Sequence, residues 1–113
     1  MFVEDFAEVM YTNTMKKVNI LYIGRHLEIL QTVIRLINKQ DNWYAQGVLK
    51  DDEAKAIFAE SNFDIVLLGC GILEQEEESL RSFFEKQQPH CRIVQHYGGG
   101  SGLLTSEILL ALE

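Results

Sequence analysis

Phe63-Asp64-Ile65-Val66-Leu67-Leu68-Gly69-Cys70-Gly71 is the stretch that decides the fold of this chain. Ile65 to Leu68 is a short apolar run with no polar alternation, so it reads as a strand covered on both faces rather than a half-exposed one. Gly69 and Gly71 then end it in a turn. Upstream, Val18-Asn19-Ile20-Leu21-Tyr22-Ile23 is a second run of the same kind, stopped by Gly24. Between the two, Leu27, Leu30, Val33, Ile34 and Ile37 follow helical spacing and predict a helix over about His26 to Lys39. Trp43 to Val48 reads as a weaker strand. Asp51-Asp52-Glu53 puts acids at the start of another helix, where they cap free amides and suit the dipole, and Ala54, Ile57 and Phe58 supply its buried face. Downstream, Glu74 to Gln88 predicts a third helix with Leu80, Phe83 and Phe84 inward and Pro89 closing it. Cys91 to His96 predicts a fourth strand, and about Leu103 to Leu112 a last helix. Strands alternating with helices of these lengths imply βαβ units. The right-handed crossover rule then makes an open, doubly wound parallel sheet the simplest arrangement.

The bulk properties agree with one ordinary globular domain. The chain has 113 residues, 47% of them hydrophobic and 24% charged, which excludes disorder. Two cysteines, Cys70 and Cys91, are too few for a disulfide framework and point to a reducing compartment, so a cytoplasmic location is expected. Residues 1–15 carry acids where a secretion signal carries lysines, and no apolar run nears the ~20 residues of a membrane span. The segment 1–15 is read either as a tail or as a docking helix with Phe2, Phe6, Val9 and Met10 on one face; the α/β domain takes up 16–113. A net charge of −7 with no basic cluster beyond Lys16-Lys17 argues against nucleic acid as a partner.

The order VNILYIG, helix, short strand, acid-capped helix, FDIVLLG resembles the receiver domain of two-component response regulators, over about Lys16 to His96. That resemblance implies a flavodoxin-like, three-layer open sheet with four parallel strands in the order 2-1-3-4. It also implies where receiver chemistry would sit, and those positions are degenerate. The phosphoacceptor aspartate should follow the FDIVLL strand, where this chain has Gly69. The acidic pair that holds magnesium should follow the first strand, where it has Gly24-Arg25. The Ser or Thr expected at the end of the fourth strand is replaced by His96-Tyr97, and the fifth strand with its lysine is missing from the pattern, so the likeness is truncated at the C-terminus. Phosphoryl transfer needs the acceptor and a metal to offset charge, and with neither the resemblance implies the scaffold without the reaction.

Ligands on open α/β sheets gather at the carboxyl ends of the strands, beside the point where strand order reverses. Arg25 there offers a fork for a carboxylate or phosphate. Gly98-Gly99-Gly100-Ser101-Gly102 after His96 is the least ordinary stretch: it is either a backbone nest for an anion, with Ser101 as helix cap, or a flexible turn. A fragment of it is similar to the nucleotide-sugar loop of some glycosyltransferases, with His96, Gly98, Gly99, Ser101 and Glu107 at the matching positions. His26, Cys70 and His96 come singly, without the spacing of a metal site, and no metal or other cofactor is expected. Glu74, Glu76, Glu77 and Glu78 are read as solvated, dipole-complementing acids. Leu103, Leu104, Ile108, Leu109, Leu110 and Leu112 cover more than one face of the last helix, and the fourth strand is left as an edge. Both favour a homodimer or a signalling-protein partner at that end; the alternative is that the helix is simply well buried and residues 1–14 cover the edge. The expectation is a non-catalytic, receiver-like signalling module that works through protein contacts; the alternative is a small protein that binds an anion or nucleotide at GGGSG.

Overall fold

A computed structural model describes residues 17–96 and 101–113. The elements run β1 (Val18–Ile23), α1 (Leu27–Asn38), β2 (Trp43–Val48), α2 (Asp51–Glu60), β3 (Ile65–Leu68), α3 (Glu74–Gln87), β4 (Arg92–Gln95) and α4 (Ser101–Leu112). The four strands form one parallel sheet in the order β2-β1-β3-β4. This is the flavodoxin-like α/β arrangement expected from the sequence. The N-terminal segment 1–15 and the glycines Gly98, Gly99 and Gly100 lie outside the described residues.

β1 and β3 are central, and alternation along them divides the core in two. Ile20, Tyr22, Ile65 and Leu67 face Leu30, Val33 and Ile37 of α1 and Leu104 and Ile108 of α4. Leu21, Ile23, Val66 and Leu68 face Ala54 and Phe58 of α2 and Leu80 and Phe84 of α3. The right-handed crossover rule governs α1, α2 and α3, each of which is followed by a strand. No described strand follows α4, so the rule does not bind it, and the helix packs on the α1 face, opposite α2 and α3. The α2/α3 layer is aromatic: the Phe58 ring stacks on Phe63 at 5.8 Å and meets Phe84 at 4.5 Å. Buried Gln88 closes that layer at the foot of α3. Its Nε2 donates to the carbonyls of Phe58 (3.2 Å) and Ser61 (2.8 Å), and its Oε1 accepts from the Phe63 N–H (3.0 Å).

Both sheet edges come from the described strands, and they are finished differently. On β2 the outward-facing backbone of Ala45 is met by a side chain of α1. The Ala45 N–H donates to Asn38 Oδ1 at 2.8 Å, and Asn38 Nδ2 reaches the Ala45 carbonyl at 3.5 Å. At that one residue a carboxamide thus takes the place a neighbouring strand would fill. On β4 the amides of Arg92 and His96 point inward, to the carbonyls of Asp64 (3.0 Å) and Leu68 (2.8 Å). Strand alternation therefore turns the N–H and C=O of Ile93 and Gln95 outward.

Candidate functional site

The strand registers Ile23↔Val48, Ile23↔Leu68 and Leu68↔Gln95 bring the carboxyl ends of all four strands to one rim. Gly24-Arg25, Leu49, Gly69-Cys70 and His96 line that rim, with the reversal of strand order between β1 and β3.

At the β1 exit, Arg25 turns toward the α2/α3 face. Its Nη1 donates to the Leu49 carbonyl at 2.8 Å, and its Nη2 to Asp51 Oδ1 at 2.7 Å and Glu76 Oε1 at 3.1 Å. The guanidinium therefore ties the first residue of α2 to the first turn of α3. Glu76 also accepts from the Leu73 N–H at 2.9 Å, which completes the backbone half of a capping arrangement. That backbone hydrogen bond, followed by Arg25, holds the Glu76 carboxyl below its ordinary value. Desolvation opposes the charge on Arg25, but the bonds to Asp51 and Glu76 outweigh it, and its pKa rises. Gly71 adopts φ +89°, and a Cβ there would sit 3.1 Å from Cβ and Cγ of Arg25. Glycine at 71 is thus needed both for the turn and for the passage of the arginine. The fork that the sequence offered to an external anion is occupied by two carboxylates of the same chain. Asp51, expected as a cap of α2, serves Arg25 instead, and Lys50 takes the N-cap position without a side-chain hydrogen bond. Glu76, grouped by sequence with the solvated acids, is part of the same clasp.

At the β3 exit, position 69 is closed by a residue that sequence reasoning missed. Tyr22, 1% exposed, lays its ring across the gap between β1 and β3. A Cβ on Gly69 would run into the Tyr22 hydroxyl and lie 2.7 Å from its Cζ; a Cβ on Gly24 would lie 2.8 Å from its Cε2. At Gly24 and Gly69, two positions that the receiver resemblance singles out, the phenol takes up the space a Cβ would need. Burial, and secondarily Cys70, raises the Tyr22 pKa. The available signal was an aromatic residue one place before the end of β1, with glycine just past the ends of both central strands.

At the β4 exit, His96 is buried and its Nδ1 lies 2.5 Å from Glu107 Oε1 of α4. Its ring meets Tyr22 edge-on, with centroids 6.3 Å apart and planes at 72°. Tyr22, His96 and Glu107 are thus contiguous on the α1/α4 side, and Arg25 lies on the other side of the sheet. The structure does not bring Arg25 and His96 together. Ser101 and Gly102 of the proposed cradle open α4. Cys70 is exposed, whereas Cys91 is buried beneath β4, and burial followed by the Asp64 charge pushes its thiol up to about 12. No group of three or more His, Cys, Asp or Glu side chains among the described residues is placed to hold a metal ion. No described helix is long and apolar enough to cross a membrane.

No family model matches this chain, and no curated protein matches it. Among solved structures it is similar to a pilus assembly-related protein of Burkholderia pseudomallei. The TM-score is 0.54 at 16% identity, over 86% of this chain and 74% of that one. The likeness is one of fold.

Proposed function

We propose that this protein is a receiver-like module that works through protein contacts and does not accept a phosphoryl group. The observation that carries the reading is the Tyr22 ring packed against Gly69, where a phosphoacceptor carboxylate would have to stand. The acids at the β1 exit, Asp51 and Glu76, are engaged by Arg25 rather than left open for a divalent cation. A fixed guanidinium at that place supplies by covalent structure the positive charge that a receiver takes from a metal, so the two loops keep one conformation. Such a module presents surfaces instead of switching them. The likeness to a pilus assembly-related protein supports a part in a multiprotein assembly as the class of role.

Incubation with magnesium and a small phosphodonor tests this directly. Intact mass should stay unchanged, and gain of one acid-labile phosphoryl group would sink the reading. A thermal-shift panel of nucleotides and phosphorylated metabolites addresses the anion-binding alternative at Gly98–Gly102. A stabilisation abolished by Gly99→Val would favour that alternative over the contact module.

A further inference from the structure

We infer that the contact surface is β4 itself, and that its partner is a second copy of this chain paired antiparallel, strand to strand, about a two-fold axis at Val94. The inference rests on the contact-module reading and names the partner. Four observations carry it.

The first is the contrast between the edges. Asn38 satisfies the outward N–H and C=O of Ala45 in the middle of β2, but among the described residues nothing bonds the outward N–H and C=O of Ile93 and Gln95 on β4. Unpaired edge groups of this kind are a template for another strand. The second is that no residue of β4 is fully buried, although Ile93 and Val94 pack against the two cores. A neighbour on that side would complete their burial.

The third is hydrogen-bond geometry, which restricts the register. In an antiparallel pair the residues that exchange bonds must both face outward. Ile93 opposite Gln95 of the second copy satisfies this at both ends and puts Val94 opposite Val94 on the axis. The same register sets Arg92 opposite His96 of the second copy, beside the Glu107 that binds it. Among the described residues Arg92 is exposed and carries no ion pair, so the match joins an unengaged cation to a carboxylate across the axis.

The fourth is the outer surface of α4. Leu104 and Thr105 line a crevice with Leu36, Ile37 and Trp43, which fixes the flank of α4 turned toward α1. At 100° per residue, Leu103 and Leu110 project from the opposite flank, the one turned away from α1. They are 43% and 67% exposed. Two-fold pairing of β4 brings this flank of each copy toward the axis, on the same face as Val94.

Sedimentation velocity of the full chain, together with cysteine cross-linking, tests the inference. The wild type should sediment as a dimer. Gln95→Pro removes an outward N–H and leaves the backbone β3–β4 bonds in place, so it should give a monomer with unchanged circular dichroism. It also removes the Nε2 bond to the Leu68 carbonyl, so Gln95→Ala, which loses that bond and keeps the N–H, should remain a dimer. Leu110→Glu, on an exposed helix position, should give a monomer without touching the strand. In a Cys70→Ser background, Val94→Cys should form a disulfide-linked dimer under mild oxidation. Directly opposed residues of a non-hydrogen-bonded pair lie about 4.5 Å apart, within reach of a disulfide. Leu27→Cys, remote from β4, should not cross-link. A wild type that stays monomeric at high concentration overturns the dimer, as does a dimer indifferent to both disrupting variants, or one that cross-links equally through position 27. A monomer whose mass is also unchanged by the phosphodonor would refute only the dimer. A phosphorylated protein would refute the reading beneath it.

Discussion

β2 and β4 are both edge strands of one parallel sheet, yet Trp43 and Ala45 of β2 are buried and no residue of β4 is. The difference comes from what each strand is given by the helix beside it. α1 lies close over β2: a Cβ on Gly47 would come 2.8 Å from Leu30 Cδ2, so glycine at that position lets the helix settle onto the strand. From there α1 also sends Asn38 around the edge to occupy the Ala45 backbone. α4 covers β4 only in part. It is latched at the rim by Glu107 and His96, and it leaves Leu109, Leu110 and Leu112 exposed along its length. An edge whose middle residue is taken by its own chain's side chain offers less backbone to a partner. On the pairing proposed above, the edge whose outward amides have no partner among the described residues, beneath a surplus of leucine, is the surface for association.

The contrast can be broken first through burial. Trp43→Ala on β2 should cost about 4 kcal/mol, and Val94→Ala on β4 about 1 kcal/mol in the monomer, both read from urea unfolding. Equal losses would mean that the two edges are packed alike. The blocking device comes next. Asn38→Ala leaves the Ala45 N–H without its partner and should cost about 2 kcal/mol, less what alanine returns in helix preference. No loss of stability would show that the carboxamide does not protect this edge. The smallest effect belongs to the latch. Glu107→Ala should cost about 1 kcal/mol and speed amide exchange in α4 while β1 and β3 keep their protection. Slowed or unaltered exchange in α4 would remove the latch from the argument.

The two central strands were legible in the sequence because burial on both faces leaves an apolar run, interrupted in β1 only by the partly buried Asn19, and Ile65–Leu68 is 0% exposed at every residue. The strand order followed from the receiver resemblance, and the crossover rule made the parallel arrangement the economical one. What escaped detection depends on distance along the chain. Arg25, Asp51 and Glu76 meet from three separate elements, 26 and 51 residues from the arginine, and no local pattern links them. The obstruction of position 69 by Tyr22 follows from the register of β1 on β3, in which Ile23 pairs with Leu68, and one residue of slip would abolish it. His96 and Glu107 were both singled out, as ligand-loop positions, and the structure pairs them with each other. The face chosen by α4 was illegible for another reason, since the handedness rule says nothing about a helix with no strand after it.

The position of β1 between β2 and β3 has a consequence for how the chain acquires its structure. Every pairing in this sheet is parallel, so none can form as a tight hairpin, and each must wait for a helix to cross over. The clamp where Asn19 and Asp64 join β1 to β3 spans 45 residues. Closing such a loop carries an entropic penalty before any contact offsets it, which places the fold among those that assemble slowly for their size. During synthesis β1 leaves the ribosome well before β3 exists. Among the described elements its apolar residues are then covered by α1, β2 and α2 alone, and the interval before β3 arrives is when the nascent chain is most exposed to chaperones and to aggregation.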